Sequence, residues 1–187
     1  MLTESYFELV VRDKRGRVLG RRQQRLDSLV IAFIDLLYVH QRNTTGTLTD
    51  INGVSRTTSD QAESFRVKGG ANDDTLGPVV GTGSAAVAMT DYALGAQIAH
   101  GSGAGQLDHK ATTFVAPATV GSSRSYEIRR IFENLSGGSI TINEVGLYIY
   151  NDGTTNTFLM ARDLVSGGQA VPDNASATLV YTVQITV

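Results

Sequence analysis

The sequence predicts a mainly β protein: an antiparallel β-sandwich, jelly-roll or immunoglobulin-like, with one N-terminal helix and a hairpin arm. Three observations predict it. Leu179, Tyr181, Val183, Ile185 and Val187 alternate without a break, the period of a strand with one buried face. Turn-forming residues punctuate the second half every 8–15 residues or so, with no helical crossover between the strand candidates. Helical spacing is clear in one segment, near the start of the chain.

Tyr6 to Val11 reads as a strand, Asp13-Lys-Arg-Gly16 as a turn, and Arg17 to Gln23 as the return strand. Leu26, Leu29, Val30, Phe33, Ile34 and Leu37 then follow i, i+3, i+4, i+7 spacing, which places a helix over 28–40 with Asp27 or Ser28 as its cap. Residues 41–62 are polar and read as a loop or a weak hairpin turning at Asn52-Gly53. Phe65 to Val67 starts a short strand, glycines punctuate 79–105, and 111–118 is extended. Tyr126 to Glu133 is a strand, and 134–138 is a turn. From Ile140 to Ile149 the apolar alternation changes parity at Asn143-Glu144, the mark of a bulge. A short strand at Phe158–Arg162 and a loop at 167–172 precede the closing strand. This gives a hairpin-plus-helix arm over 1–45 and a sandwich with glycine-rich loops over 46–187, together one folding unit.

Composition excludes several chemistries. The chain has no cysteine, which removes disulfides, thiolate metal sites and cysteine nucleophiles. The opening MLTESYFELVVRDKRGR lacks a signal-peptide apolar core, and the apolar run Leu29–Val39 is too short to span a bilayer, so no membrane partner is expected. Net charge is −2, yet seven of the 16 basic residues fall between Arg12 and Arg25. A solvated hairpin and helix start explains that cluster. Nucleic-acid binding is not expected, because no aromatic residues interleave with the basic ones. The sequons at Asn43, Asn134 and Asn174 read as chance.

The search for a catalytic or cofactor site returns little. Gly101-x-Gly-x-Gly105 resembles part of a dinucleotide fingerprint but lacks the following helix, and no Walker A sequence is present. His100, Asp108 and His109 are the one grouping suited to a metal or a general base. A His–Asp pair from this group would need a third ligand from elsewhere, no motif has metal-site spacing, and they read as loop residues. No serine elbow occurs. The reading is therefore a non-enzymatic protein without cofactor or metal. The candidate contact residues are the helix face Leu29, Val30, Phe33 and Leu37 and the basic residues Arg21, Arg22 and Arg25.

Three stretches carry a resemblance. They are FELVVRDKRGRVLGRR with SLVIAFIDLLYVH (7–40), DINGVSRTTS with FRVKGGANDDTLGPVVGTGSAAVAMTDYALGAQIAHGSGAGQL (50–107), and YEIRRIFENLSGGSITINEVGLYIYN with FLMARDLVSGGQAVPDNASATLVYTVQITV (126–187). They resemble virion structural proteins of tailed bacteriophages and related tailed viruses. The resemblance implies a homo-oligomeric particle component assembled in the host cytoplasm, docked on other virion proteins as a capsid-decoration, neck or tail subunit. It brings no catalytic residue. Such a tail subunit would extend its sheets between neighbours, with the closing strand as the obvious candidate. A host-attachment module that binds a cell-surface glycan is the alternative.

Overall fold

The strictly alternating segment at the end of the chain lies inside the larger sheet, bonded on both edges. In the computed structural model, which describes residues 5–25, 29–42, 45–59, 65–150 and 156–186, the elements run β1 (Tyr6–Arg12), β2 (Val18–Arg25), α1 (Ile31–Arg42), β3 (Thr45–Thr49), β4 (Ser55–Ser59), β5 (Gly77–Gly81), β6 (Asp108–His109), β7 (Thr113–Val120), β8 (Ser123–Glu133), β9 (Ile140–Tyr150), β10 (Thr157–Val171) and β11 (Ser176–Thr186). The protein is mainly β, antiparallel, with a single helix among the described residues, as the sequence predicts.

The larger sheet has the order β2-β1-β11-β8-β6, with β7 also on the outer edge of β8. Leu179 of β11 lies opposite Leu9 of β1 on one side and Arg130 of β8 on the other. The smaller sheet is β10-β9-β5, and β3 and β4 form a separate hairpin. The two main sheets pack face to face. Phe7, Leu9, Ile128, Phe132, Leu179 and Tyr181 from the larger sheet meet Val80, Ile142, Val145, Leu147 and Val165 from the smaller one. Each large apolar side chain buried this way contributes about 1.5–3 kcal/mol.

Two expectations about connectivity change. First, β1 and β2 are not an arm: β1 pairs with β11 along its whole length, so the hairpin supplies two strands of the main sheet. Second, β11 is not an open edge strand: β8 pairs with it along its whole length and β1 from Ser176 to Thr182, so among the described residues only 183–186 lack a partner on one side. Among the described residues the larger sheet ends at β2 on one side and at β6 and β7 on the other.

The parity change in β9 is present, since Ile140, Ile142, Val145 and Leu147 all enter the core. The surplus residues sit mainly on its partner. The register jumps from Leu164↔Glu144 to Gln169↔Ile142, so β10 absorbs more residues than β9. Gly168, at φ 64°, makes the bend, and a Cβ there would come within 2.6 Å of the Asn143 side chain. The strand expected at 158–162 and the loop expected at 167–172 are thus one strand with a wide bulge.

Helix α1 begins later than its periodicity suggests. The backbone still pairs with β10 before it, through the Leu29–Ala161 bridge and the Val30 amide on the Met160 carbonyl. The expected cap positions, Asp27 and Ser28, lie outside the described residues. The 45–59 hairpin exists, but Asn52-Gly53 sits in a five-residue loop instead of a two-residue turn. Asp50 accepts the Asn52 and Val54 amides and binds Arg56 at 2.8 Å, which widens the turn.

Candidate functional site

Between β4 and β6 the chain runs from 65 to 107 with regular pairing only at β5 among the described residues. Two buried arginines hold this segment. Arg162 projects from β10 beside Glu144 of β9, with 2.7 Å between Nε and the carboxylate. Glu144 also accepts the amides of Gly83 (3.0 Å), Gly95 (3.0 Å) and Ala96 (2.7 Å). Arg162 reaches Asp91 at 2.8 Å and the carbonyl of Ala85 at 3.0 Å. Burial lowers the guanidinium pKa, but the two carboxylates outweigh it and the net shift is upward. The approach is so close that a Cβ at Gly83 would lie 2.3 Å from the Glu144 carboxylate. At the corner, Asp91 accepts the Ala88 amide and returns its own amide to the Ala88 carbonyl.

Arg130 is the second clamp. It occupies the inward position between Ile128 and Phe132 on β8 and is buried. Its five N–H groups reach five backbone carbonyls: Lys110 (2.8 Å), Leu76 (2.9 Å), Pro78 (3.2 Å), Gly70 (3.1 Å) and Asp73. Burial lowers its pKa, and nearby Asp73 and Asp74 oppose that. Neither arginine network was singled out from the sequence. The available signal was a charge inside apolar strand text, in YEIRRIF and FLMARDLV.

The grouping His100, Asp108 and His109 does not converge on one point. His109 is buried, with its ring edge-on to Phe132 at 5.0 Å, and among the described residues neither ring nitrogen has a hydrogen-bond partner. Burial, with the charge of Arg130 behind it, pushes its pKa down to about 4. His100 Nδ1 accepts the His109 amide at 3.2 Å and lies 3.6 Å from Asp108. Asp108 is engaged by Lys110 at 2.7 Å, which also meets Glu133 at 2.9 Å. Among the described residues no three His, Asp or Glu side chains are grouped to hold a metal ion. No helix among them is long and apolar enough to cross a membrane.

The candidate contact residues separate into two sets. Val30 is buried against Val79, Leu94, Tyr148 and Leu159, on the outer face of the smaller sheet. Phe33 is half-buried and packs edge-on against Phe65, with centroids 6.2 Å apart. Leu29 and Leu37 are half-buried. This face docks on the chain's own sandwich, and Leu36 and Val39, not in the expected set, are its most buried helical members. Arg21, Arg22 and Arg25 are exposed on β2. Arg21 pairs with Glu8 at 3.1 Å, and Arg22 reaches the Ser166 carbonyl at 3.2 Å. The sequon residue Asn134 is fully buried, with its side-chain amide on the Gly138 and Val171 carbonyls, both at 2.7 Å.

Two exposed apolar surfaces remain. One is at α1, where Ile31, Ile34 and Tyr38 are exposed and Ile31 shares a groove with Met89 and Tyr92. The other is the β7–β8 hairpin and the end of β11, where Phe114, Val120, Tyr126 and Ile185 are exposed. The strand β7 is exposed along its whole length. No protein-family model, curated protein or solved structure matches the chain.

Proposed function

We propose that this chain is a non-enzymatic structural subunit of a tailed-virus particle, self-associating and docking on neighbouring head or tail proteins. The observation that carries the reading is the pair of exposed apolar surfaces, one at α1 and one at β7–β8, on a body whose own core is closed. A particle subunit touches neighbours on more than one side, and contiguous exposed apolar residues are the usual mark of such contacts. The ion clamps fit the same role. They are spent on immobilising an irregular surface segment, which presents a fixed relief to a partner.

The test is an inventory by mass spectrometry of gradient-purified particles of the virus that carries this chain. The chain is expected there in fixed stoichiometry with the other particle proteins. Its recovery only in the soluble lysate would overturn the reading. Glycan attachment draws on one feature, the exposed Tyr92 beside Asp91 in the groove over α1. Specific signal on a glycan array, lost in Tyr92→Ala, would favour that reading instead.

A further inference from the structure

The exposed stripe of α1, Ile31, Ile34 and Tyr38, has the spacing of residues on one helix face and is separate from the stripe that packs on the sheet. Ile31 opens onto a groove of about 210 Å³ completed by Leu48, Met89 and Tyr92, with Asp35 and Asp91 in its walls. Met89 is 69% exposed. Methionine and tyrosine at the centre with carboxylates at the margin is the composition of an interface core and its polar rim. Asp91, although bonded to Arg162, keeps part of its side chain open to solvent.

The β1–β2 hairpin presents the complement. Val18 and Leu19 are exposed at 45% and 43%. Around them stand Lys14, Arg15, Arg17 and Arg21, and from Arg12 to Arg25 Asp13 is the sole acid. Leu19 falls at a register irregularity of β2, between the pairs Val11↔Gly20 and Arg12↔Val18. The groove lies over the smaller sheet and the hairpin on the larger one.

We propose that the β1–β2 hairpin of one copy docks in the groove between α1 and residues 89–92 of the next, with Val18 and Leu19 in the groove and the basic flank against Asp35 and Asp91. This rests on the self-assembly reading above and gives it a geometry. The two surfaces are different patches of one chain, so the contact is head-to-tail. It closes into a ring or continues as a tube, according to the rotation between copies.

Sedimentation velocity on the purified chain over a range of concentrations tests it, with Leu19→Asp and Met89→Asp as variants. Both positions are exposed, so far-ultraviolet circular dichroism should be unchanged. Each variant is expected to weaken self-association about tenfold or more. An equimolar mixture of the two should form a heterodimer and stop there, because only one intact hairpin and one intact groove can meet. Oligomers that persist in both variants, or a mixture that stays monomeric, would overturn the hairpin–groove contact while self-assembly stood. A wild-type chain monomeric at every concentration would overturn both. Uptake of a different particle protein by that monomer, lost in Met89→Asp, would assign the groove to that protein.

Discussion

In residues 126–150 and 156–186 the chain is held by side chains that alternate into a shared apolar core. Between 65 and 107 it is held by two guanidinium groups reaching out from that core. Leu179 and Tyr181 contribute through buried area, which is non-directional and tolerates small shifts. Arg130 and Arg162 contribute through short, directed bonds to carbonyls and carboxylates that arrive from distant parts of the chain. The difference teaches where each region should fail. Loss of core area should weaken the whole domain together, whereas loss of a clamp should release one loop and leave a buried charge or orphaned backbone groups behind.

The sharpest way to break the comparison is Glu144→Gln. It leaves Arg162 buried without its main counter-charge, and the expected cost is about 3–5 kcal/mol in urea unfolding. Hydrogen exchange should rise first at the amides of Gly83, Gly95 and Ala96. Uniform loss of protection across β8 and β11 instead would show that the clamp and the core are one unit.

Arg130→Lys comes next. An ammonium has three donors against five carbonyls, so at least two acceptors lose their partner, at about 1–3 kcal/mol each. Exchange should quicken over 69–78 while β11 stays protected, and stability equal to wild type would count against the clamp.

His109 offers a test by pH. Its folded-state pKa is about 4 against an ordinary 6.5, so the unfolded chain takes up a proton that the folded chain refuses. This contribution is neutral above about pH 6.5 and costs stability as pH falls towards 4. At about 1.4 kcal/mol per pH unit the loss is about 3 kcal/mol. His109→Phe should flatten the pH dependence of the urea midpoint over that window. An unchanged profile would mean that other groups produce it.

Asp50→Ala should cost about 1–2 kcal/mol, read from the thermal midpoint, because the buried carboxylate holds the 50–54 turn through the Asn52 and Val54 amides and pairs with Arg56. Met89→Asp should be the smallest change, within about 0.5 kcal/mol of wild type, since the side chain is exposed.

Much of the sheet region was legible in the text of the chain. The alternation of β11, the parity change in β9 and a helix, read over 28–40 and found at Ile31–Arg42, each follow from local periodicity, because period 2 and period 3.6 are properties of the backbone itself. The placement of these pieces was not legible. Nothing in Tyr6–Arg12 says that its partner is β11, and nothing in the β11 pattern says that β8 lies along one edge and β1 along the other as far as Thr182. The parity change showed that extra residues exist, but pairing decided that β10 carries most of them. The contact residues show the same limit. Helical spacing grouped Leu29, Val30, Phe33 and Leu37, yet α1 turns Leu36 and Val39 inward and leaves Ile31 and Ile34 outside, because β10 delays the helix start.

The sequence was enough for the class, antiparallel strands with one helix and no cysteine chemistry, but the inward parity of Arg130 between Ile128 and Phe132 was not singled out there. Only the tertiary structure decided what that parity meant. A cation at an inward strand position is tolerable only if acceptors surround it. Four of those five acceptors are backbone carbonyls 52 to 60 residues upstream, brought to β8 by the folding of 69–78. Periodicity is written in neighbours along the chain, while the satisfaction of a buried charge depends on neighbours in space.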